Sequence, residues 1–239
     1  MRRQILLLLA ITHGFVFLLG TAVQEPDLPP STSAFAGERT TTVNIATVTE
    51  NGQGSISTVS IDISEGNGRV RLDTDPFIDL DTQASGRTAK QIAEQYTQTS
   101  LAEKDITIRF NIDAAQLGGP SAGAAMTLGI IAAIQNRTVP DTAVITGTIQ
   151  PDGRIGRVGG ILEKAMAAGT AGKKTFLVPE GQSSITYYTR KNNSQPDPFG
   201  RYSADDYTVQ QVDITTMTAQ YDMQTIEVST IEDAVQILE

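Results

Sequence analysis

Residues 117–127 read LGGPSAGAAMT, a glycine–proline turn that leads directly into an apolar stretch. Pro120 fixes its own backbone angle, and the two glycines before it allow conformations that other residues avoid. Ser121 follows at the start of a predicted helix that extends to about Asn136. Its hydroxyl has two interpretations: an ordinary helix cap, or a nucleophile held on a stiff turn.

The predicted helix after Ser121 is apolar almost all round, so we expect it to be buried and to hold the serine on a rigid element. The first turn of a helix has unpaired backbone N–H groups and the positive end of the dipole, both of which stabilise an oxyanion. If Ser121 is a nucleophile, we expect N–H groups between Gly119 and Ala122 to hold that oxyanion.

The missing residue types exclude several kinds of active site. The chain of 239 residues contains no cysteine, and its one histidine, His13, lies in the N-terminal apolar segment. Ser-His-Asp and Cys-His catalysis, disulfides and the usual zinc sites are therefore excluded from the rest of the chain. Proton transfer near neutral pH must use Asp, Glu, Lys or Tyr. With 39% apolar residues, the chain suffices for one domain and a leader, or for two small domains.

The charge balance disfavours nucleic acid as a partner. The net charge is −9, and beyond the first 24 residues 16 basic and 27 acidic residues leave a net charge of −11. A surface this acidic repels phosphate backbones.

One stretch superficially resembles a phosphate-binding loop. GTAGKKT at 169–175 has two residues between its first glycine and the Gly-Lys pair, where a P-loop has four. It also follows a predicted helix, whereas phosphate binding requires the loop to precede one. We interpret it as a helix C-terminus, with Gly172 ending the helix and Lys173 and Lys174 near its negative end. No other nucleotide motif occurs, so we expect neither ATP hydrolysis nor a cofactor. We also expect no metal, because the chain beyond the N-terminal segment has no cysteine and no histidine.

The N-terminus is predicted to be a targeting segment. Residues 1–23 begin with Arg2 and Arg3 and continue with an apolar stretch long enough to cross a bilayer. They form a signal peptide or a signal anchor, and a buried N-terminal helix is the alternative. The arginines predict a cytoplasmic N-terminus and a body outside the cytoplasm, secreted or membrane-anchored. Residues 24–38 are rich in proline, serine and threonine and are predicted to be a linker.

Residues 39–239 are predicted to form one α+β domain, with helices packed on mixed sheets. Strands are expected in TTTVNIATVT, GSISTVSIDIS, RVRLDTD, DITIRFNI, TAVITGTIQPDGRIGRVGG (a pair around Asp152-Gly153) and KTFLVP. Further helices are expected in ASGRTAKQIAEQYTQTSL, in 161–171, and in STIEDAVQIL, where Ser229 or Thr230 is the cap. Residues 180–206 are polar and long for a loop, and we expect a mobile insertion that controls access to the site.

Lys164 lies in VGGILEKAMAAG, a predicted helix with apolar surroundings. The positions three and four residues away from it are glycine, isoleucine and two alanines, and none is a carboxylate. Removing a lysine from water lowers its pKa, and a neutral amine can deprotonate a serine hydroxyl. The alternative is a lysine at the edge of the helix whose ammonium reaches solvent.

GGPSAGAAMT, followed about 40 residues later by GGILEKAMAAGTAGKKTFLVP, resembles the proteolytic domain of Lon proteases over about residues 104–179. In that family the serine of the PSAG turn is the nucleophile and the lysine of the GG-x-x-EK helix is its general base, and these correspond here to Ser121 and Lys164. A threonine at a nearby strand end corresponds to Thr146 in ITGTI, where it orients the lysine. The resemblance implies the Lon proteolytic fold, also described as ribosomal-protein domain-2-like, behind an N-terminal hydrophobic helix. It also implies a homo-oligomer, a hexamer in this family.

The sequence departs from the Lon pattern at several positions. Gly118 stands where the family usually has an aspartate two residues before the proline, and Thr148 replaces an acidic residue after the Thr-Gly pair. We expect no ATP-driven unfolding domain, and the leader is unlike that of soluble cytoplasmic members. The resemblance therefore implies a stand-alone, exported or membrane-anchored peptidase of archaeal type.

Two functions follow from the sequence. The first is an ATP-independent serine endopeptidase that uses a Ser121/Lys164 dyad to cleave peptides or unfolded proteins. The alternative is a catalytically silent module with the Lon fold that binds or assembles at the membrane or cell exterior. Gly118 in place of the family aspartate favours the silent module, whereas the presence of both dyad residues favours the peptidase.

Overall fold

The computed structural model of the chain describes residues 35–49, 51–73, 75, 77–112, 116–191 and 206–238. The predicted leader lies outside this part of the chain, and no helix within it is long and apolar enough to cross a membrane. The compact unit includes Phe35, which lies inside the predicted linker. Phe35 packs against the core, and its ring centre lies 5.0 Å from both Arg39 Cζ and Lys104 Nζ. One residue of the predicted linker therefore packs on the domain, and the predicted boundary at residue 39 stays a prediction.

The strands have the following bounds, in chain order: β1 (Arg39–Val48), β2 (Gly54–Glu65), β3 (Val70–Leu72), β4 (Phe77–Ile78), β5 (Lys104–Asn111), β6 (Gln116–Leu117), β7 (Ala143–Ile145), β8 (Thr148–Ile149), β9 (Ile155–Gly156), β10 (Thr175–Pro179), β11 (Ser184–Lys191), β12 (Asp206–Asp213) and β13 (Gln224–Val228). Seven of them form the main sheet, in the order β13-β10-β7-β1-β2-β5-β3.

The main sheet is antiparallel at its centre and parallel towards both edges. The predicted hairpin is confirmed, because β1 and β2 pair antiparallel with Val43 opposite Val59. β5 pairs antiparallel with β2, and β3 pairs parallel with β5. On the other side, β7 is parallel to both β1 and β10, and β10 is parallel to β13. β7 and β10 are buried along almost their whole length, as is typical of parallel strands covered on both faces.

Helices cover both faces of the main sheet. They are α1 (Leu80–Thr97), α2 (Gly123–Gln135), α3 (Ile161–Thr170), α4 (Ile214–Ala219) and α5 (Ile231–Leu238). Successive residues of a strand point to opposite faces, and the buried side chains separate accordingly into two clusters. Leu177 belongs to the cluster beneath α1 and α2, whereas Phe176 and Val178 belong to the cluster beneath α3 and α4. The predicted α+β class with mixed sheets is therefore confirmed.

Two helices begin elsewhere than predicted. α1 begins at Leu80, one turn before the predicted start, because the Asp79 carboxylate caps it by accepting a hydrogen bond from Thr82 N at 2.8 Å. α2 begins at Gly123, because residues 120–122 form a separate turn of 3-10 helix. The second difference decides how Ser121 is presented.

The ends of two helices confirm the sequence interpretation. α3 ends shortly before Gly172, which has a φ of 71°, and the Lys173 N–H donates to Ala168 O at 3.0 Å. GTAGKKT is thus a helix C-terminus. α5 begins after Thr230, whose hydroxyl accepts the Asp233 N–H while the Asp233 carboxylate accepts the Thr230 N–H.

Two small strand pairs flank the glycine–proline turn. β4 pairs parallel with β6, which ends at Leu117 directly before the turn. β8 and β9 pair antiparallel around Asp152 and Gly153, and Gly153 has a φ of 83°. The predicted turn at Asp152 and Gly153 is confirmed. The segment TAVITGTIQPDGRIGRVGG also contains β7, which belongs to the main sheet and not to this pair.

The described part of the predicted 180–206 insertion is not a simple loop. Ser184–Lys191 and Asp206–Asp213 pair antiparallel as β11 and β12. Gln182 is buried, and Ile185 and Val212 pack against the cluster beneath α3 and α4. The expectation of a loop that buries little area is wrong here, because β-branched and aromatic residues in SITYYT and YTVQQV favour strands. The prolines and asparagines that suggested mobility lie at 192–205, outside the described residues.

Candidate active site

Ser121 lies in a short turn of 3-10 helix at 120–122 and not in the α-helix that follows. Gly119 before it has φ 92° and ψ 147°, a conformation that is essentially restricted to glycine. Pro120, which comes between Gly119 and Ser121, has its own φ fixed by its ring. α2 has Ala122 as its N-cap, with no side-chain hydrogen bond. The helix-cap interpretation of Ser121 is therefore wrong, and its side chain is partly exposed.

The Ser121 carbonyl is hydrogen-bonded to the residues that follow β7. It accepts the Gly147 N–H at 3.0 Å and the Thr146 hydroxyl at 3.5 Å, and the Ala124 N–H donates to Gly147 O at 3.0 Å. Position 147 has no room for a side chain, since a Cβ would lie 2.3 Å from Ile155 Cγ2. The glycine thus allows the strand end to approach the turn closely, and the backbone of Ser121 is fixed relative to Thr146.

Lys164 is buried on α3, with 4% of its surface exposed. Among the described residues its Nζ donates one hydrogen bond, to Thr146 Oγ1 at 3.1 Å, and forms no ion pair. Burial lowers the pKa of Lys164 from 10.5 to about 8. The interpretation of an edge lysine that reaches solvent is therefore wrong. With a pKa of about 8, roughly a tenth of the amine is neutral at pH 7.

The start of the helix that carries Lys164 depends on a glycine and a buried glutamine. Gly160 has a φ of 67°, and a Cβ there would lie 2.6 Å from Val48 Cγ2. The Gln182 side chain accepts the Val158 N–H at 2.9 Å and donates to Val158 O at 2.8 Å. Sequence reasoning missed Gln182, because it lies in the segment interpreted as a loop and no motif distinguishes it from an exposed glutamine.

The N–H of Gly119 is already hydrogen-bonded, to Asp79 Oδ2 at 2.8 Å. The Thr82 hydroxyl also donates to Gly119 O, at 3.0 Å. Of the two positions expected to hold an oxyanion, Gly119 therefore has its N–H occupied in this conformation, which leaves Ala122. Sequence reasoning did not find Asp79 and Thr82, because nothing local links the start of α1 to a turn 40 residues later.

The structure brings Lys164 and Thr146 together with the main chain of Ser121. Within the described residues no hydrogen bond joins Ser121 Oγ to Lys164 Nζ, and the Thr146 hydroxyl links the two residues instead. Hydrogen bonds between catalytic groups often form fully only when substrate binds. A serine hydroxyl, an amine of lowered pKa and nearby backbone N–H groups are the groups that acyl transfer requires. Among the residues that the structure describes, no group of three or more acidic or histidine residues is placed to hold a metal ion.

The residues of this site lie in a region that matches a known protein family. The family model described as the Lon protease (S16) C-terminal proteolytic domain matches residues 37–186, more than half of the chain. The chain belongs to the Lon proteolytic-domain family. The match is longer than the stretch that carries the sequence resemblance, and it includes Ser121, Thr146 and Lys164. The matched region ends within β11, so the elements from β12 to α5 lie outside it.

Individual Lon proteases are similar to parts of the chain. The Lon protease of Phenylobacterium zucineum is 42% identical over 83 residues, which are 35% of this chain and 10% of that protein. The Lon protease of Clostridioides difficile is 42% identical over 76 residues, 32% of this chain and 10% of that protein. The Lon protease of Finegoldia magna is 30% identical over 138 residues, 55% of this chain and 18% of that protein. The Lon domain therefore matches a small part of each relative, and the archaeal, stand-alone subtype stays a prediction.

Proposed function

We propose that this Lon domain is a serine endopeptidase in which Lys164 deprotonates Ser121. The observation that carries this proposal is the buried Lys164 amine, which is hydrogen-bonded to Thr146 beside the Ser121 turn and has no ion pair among the described residues. Burying an ammonium without a counter-ion is costly, so a core that needed only to be filled would have an apolar residue there. A pKa of about 8 is well matched to a general base near neutral pH.

In the proposed reaction, the neutral Lys164 Nζ takes the proton of Ser121 Oγ while Oγ attacks the carbonyl carbon of a peptide bond. A C–O bond forms, and the carbonyl oxygen becomes an oxyanion that the Ala122 N–H and the N-terminal end of α2 stabilise. The C–N bond then breaks as the Lys164 ammonium gives its proton to the leaving amine. A water molecule deprotonated by Lys164 hydrolyses the acyl-serine ester, which releases the second product and restores both residues.

Thr146 positions the lysine in this scheme. Its Oγ1 accepts a hydrogen bond from Nζ, while its own hydrogen is donated to Ser121 O. One N–H of the amine is thereby used to hold its position, and the lone pair is left for proton transfer. The same threonine contacts both residues of the dyad, so it sets the position of the base relative to the nucleophile.

Peptides and unfolded protein segments are the proposed substrates, and their hydrolysis is independent of ATP. The P-loop-like stretch supports ATP independence, because it forms a helix C-terminus in which Lys173 contacts Asp141 and Lys174 contacts Asp222. The arginines and apolar stretch of the predicted leader at 1–23 support an exported domain, secreted or anchored in the membrane. We also propose that the chain forms a homo-hexamer, and this part of the proposal is based only on its membership of the Lon family.

The proposal is tested by the turnover of short peptides and of an unfolded protein by the full chain, with and without ATP. We expect hydrolysis that ATP does not change and that Ser121→Ala abolishes, together with labelling of Ser121 by a serine-directed phosphonate probe. Hydrolysis that requires ATP would contradict ATP independence. A folded chain that neither hydrolyses substrate nor labels would instead be the silent binding module.

A further inference from the structure

The turn before Ser121 is held by the first turn of α1. The Gly119 N–H donates to Asp79 Oδ2 at 2.8 Å, and Gly119 O accepts the Thr82 hydroxyl at 3.0 Å. Thr82 is completely buried, and Gly119, which accepts from its hydroxyl, is partly exposed. Two side chains on one helical turn therefore fix both polar atoms of the Gly119 backbone.

Gly119 has no side chain to hold its own conformation. Its φ of 92° and ψ of 147° lie outside the regions that other residues populate, and no atom lies within 4 Å of the place where a Cβ would be. Glycine also loses the most conformational freedom when it is ordered. Pro120 fixes its own φ and restricts the ψ of Gly119 to extended values, but it does not select the positive φ of Gly119. The two hydrogen bonds to α1 therefore determine the direction in which the chain enters the turn of Ser121.

The two carboxylate oxygens of Asp79 accept different hydrogen bonds. Oδ1 accepts the Thr82 N–H at 2.8 Å and caps α1, while Oδ2 accepts the Gly119 N–H. A Cβ at position 118 would lie 3.2 Å from Oδ2, tighter than ordinary contacts, so Gly118 lets the carboxylate approach closely. Partial burial raises the pKa of Asp79, but hydrogen bonds from Thr82 and Gly119 outweigh it and hold the pKa below its ordinary value.

We propose that Asp79 and Thr82 are positioning residues for the Ser121 nucleophile, an inference that rests on the proposed peptidase function. Ser121 is then held from two sides. The α1 side acts through Gly119, two residues before it, and the β7 side acts through the hydrogen bond between Ser121 O and the Gly147 N–H. A nucleophile displaced by about 1 Å loses up to about a hundredfold in rate, so the loss of either hold should lower kcat.

Asp79→Asn tests the contact with Gly119. Asparagine is close to aspartate in shape and is an equally good N-cap, but its NH2 group replaces one of the two oxygens that accept from Thr82 N and Gly119 N. An NH2 group cannot accept a hydrogen bond, so the contact with Gly119 is lost when the carbonyl oxygen caps the helix. Thr82→Val tests the second contact, because it removes the hydroxyl and keeps the backbone N–H that the cap uses. In the full chain we expect each variant to lower kcat for peptide hydrolysis by about 10- to 100-fold, with KM within about threefold of wild type.

Asp213→Asn is the matched control. Asp213 caps α4 as Asp79 caps α1, by accepting the N–H of a threonine three residues on, Thr216, at 3.2 Å. It has no contact with Gly119 or Ser121 in the described residues. We expect this variant to keep the kcat and the labelling rate of wild type, because asparagine caps a helix as well as aspartate does.

The rate of Ser121 labelling by the phosphonate probe is the second readout, since it needs no bound peptide. We expect Asp79→Asn and Thr82→Val to slow labelling by the same factor as kcat. If both variants keep the wild-type kcat and labelling rate, Asp79 and Thr82 do not position Ser121 and the inference is wrong. If wild type itself neither hydrolyses peptide nor labels, the proposed function fails first and this inference with it.

Discussion

Replacing Lys164 by methionine should stabilise the folded chain while abolishing peptide hydrolysis. Methionine has a similar length and no charge, so the variant avoids the cost of burying an ammonium. The fall in pKa from 10.5 to about 8 corresponds to about 3 kcal/mol, at about 1.4 kcal/mol per pKa unit. The variant also loses the hydrogen bond to Thr146, worth about 1 kcal/mol. We therefore expect a net gain of about 2 kcal/mol at pH 7.

The sign of the pH dependence follows from the direction of this shift. The pKa of Lys164 is about 8 in the folded chain and 10.5 without burial, so between these values only the unfolded chain keeps the proton. Wild type becomes more stable as the pH rises through this window, because the unfolded state binds more protons. The variant has no lysine at this position, so its advantage over wild type should shrink by about 2 kcal/mol between pH 7 and pH 10.

Urea unfolding of both chains at several pH values between 7 and 10 measures this difference. Ser121→Ala is the control, because it removes the nucleophile and keeps the lysine. It should follow the pH dependence of wild type although it is equally inactive. An advantage of Lys164→Met that stays constant from pH 7 to pH 10 would refute the reasoning, because Lys164 would then not pay a desolvation cost on folding.

Three further predictions concern the base, the start of its helix and the domain boundary. Lys164→Arg should abolish hydrolysis in a folded chain, because a guanidinium is not deprotonated in this pH range; a kcat/KM of one tenth of wild type or more would contradict this. Gly160→Ala should lower the free energy of unfolding in urea by about 1–3 kcal/mol, since position 160 has a φ of 67° and a Cβ there would lie 2.6 Å from Val48 Cγ2. Gly159→Ala, with no atom within 4 Å of its Cβ position, should stay within about 0.5 kcal/mol, and equal losses at the two positions would show that the close contact does not matter. A chain that begins at Thr32 should fold, and Phe35→Ala in that chain should lower its Tm by about 2–5 °C, because Phe35 packs against the core. Circular dichroism on heating measures the folding of this chain and the change in Tm. If the chain that begins at Thr32 is unfolded, residues before Thr32 are needed for the core and the prediction is wrong.

The features that the sequence predicted well are local. The PSAG turn depends on a glycine and a proline beside Ser121, and the surroundings of Lys164 depend on helical neighbours three and four residues away. The alternation in β1 and β2 likewise gives both strands and their hairpin. In each case the residues that determine the conformation are close together in the chain, so their pattern is visible without a fold.

The features that the sequence did not reveal depend on contacts between distant segments. Gln182 holds Val158 across 24 residues, and Asp79 holds Gly119 across 40 residues. Each is a single polar residue of a common type, and only the fold shows that it faces a backbone group. The start of α2 was misplaced for a similar reason: a 3-10 turn and an α-helix have nearly the same apolar pattern over three residues. The cap interpretation of Ser121 depended on that difference.

The central claim, that neutral Lys164 activates Ser121, is tested most directly by the pH dependence of Ser121 labelling with a serine-directed phosphonate probe. The measurement uses wild type and Lys164→Met, with the labelled residue identified by mass spectrometry. We expect the wild-type labelling rate to rise from pH 6 and to level off above a midpoint near 8, the pKa of the buried amine, and the variant to label at a negligible rate at every pH. A wild-type rate without this rise, or a variant that labels as fast as wild type, would contradict the claim.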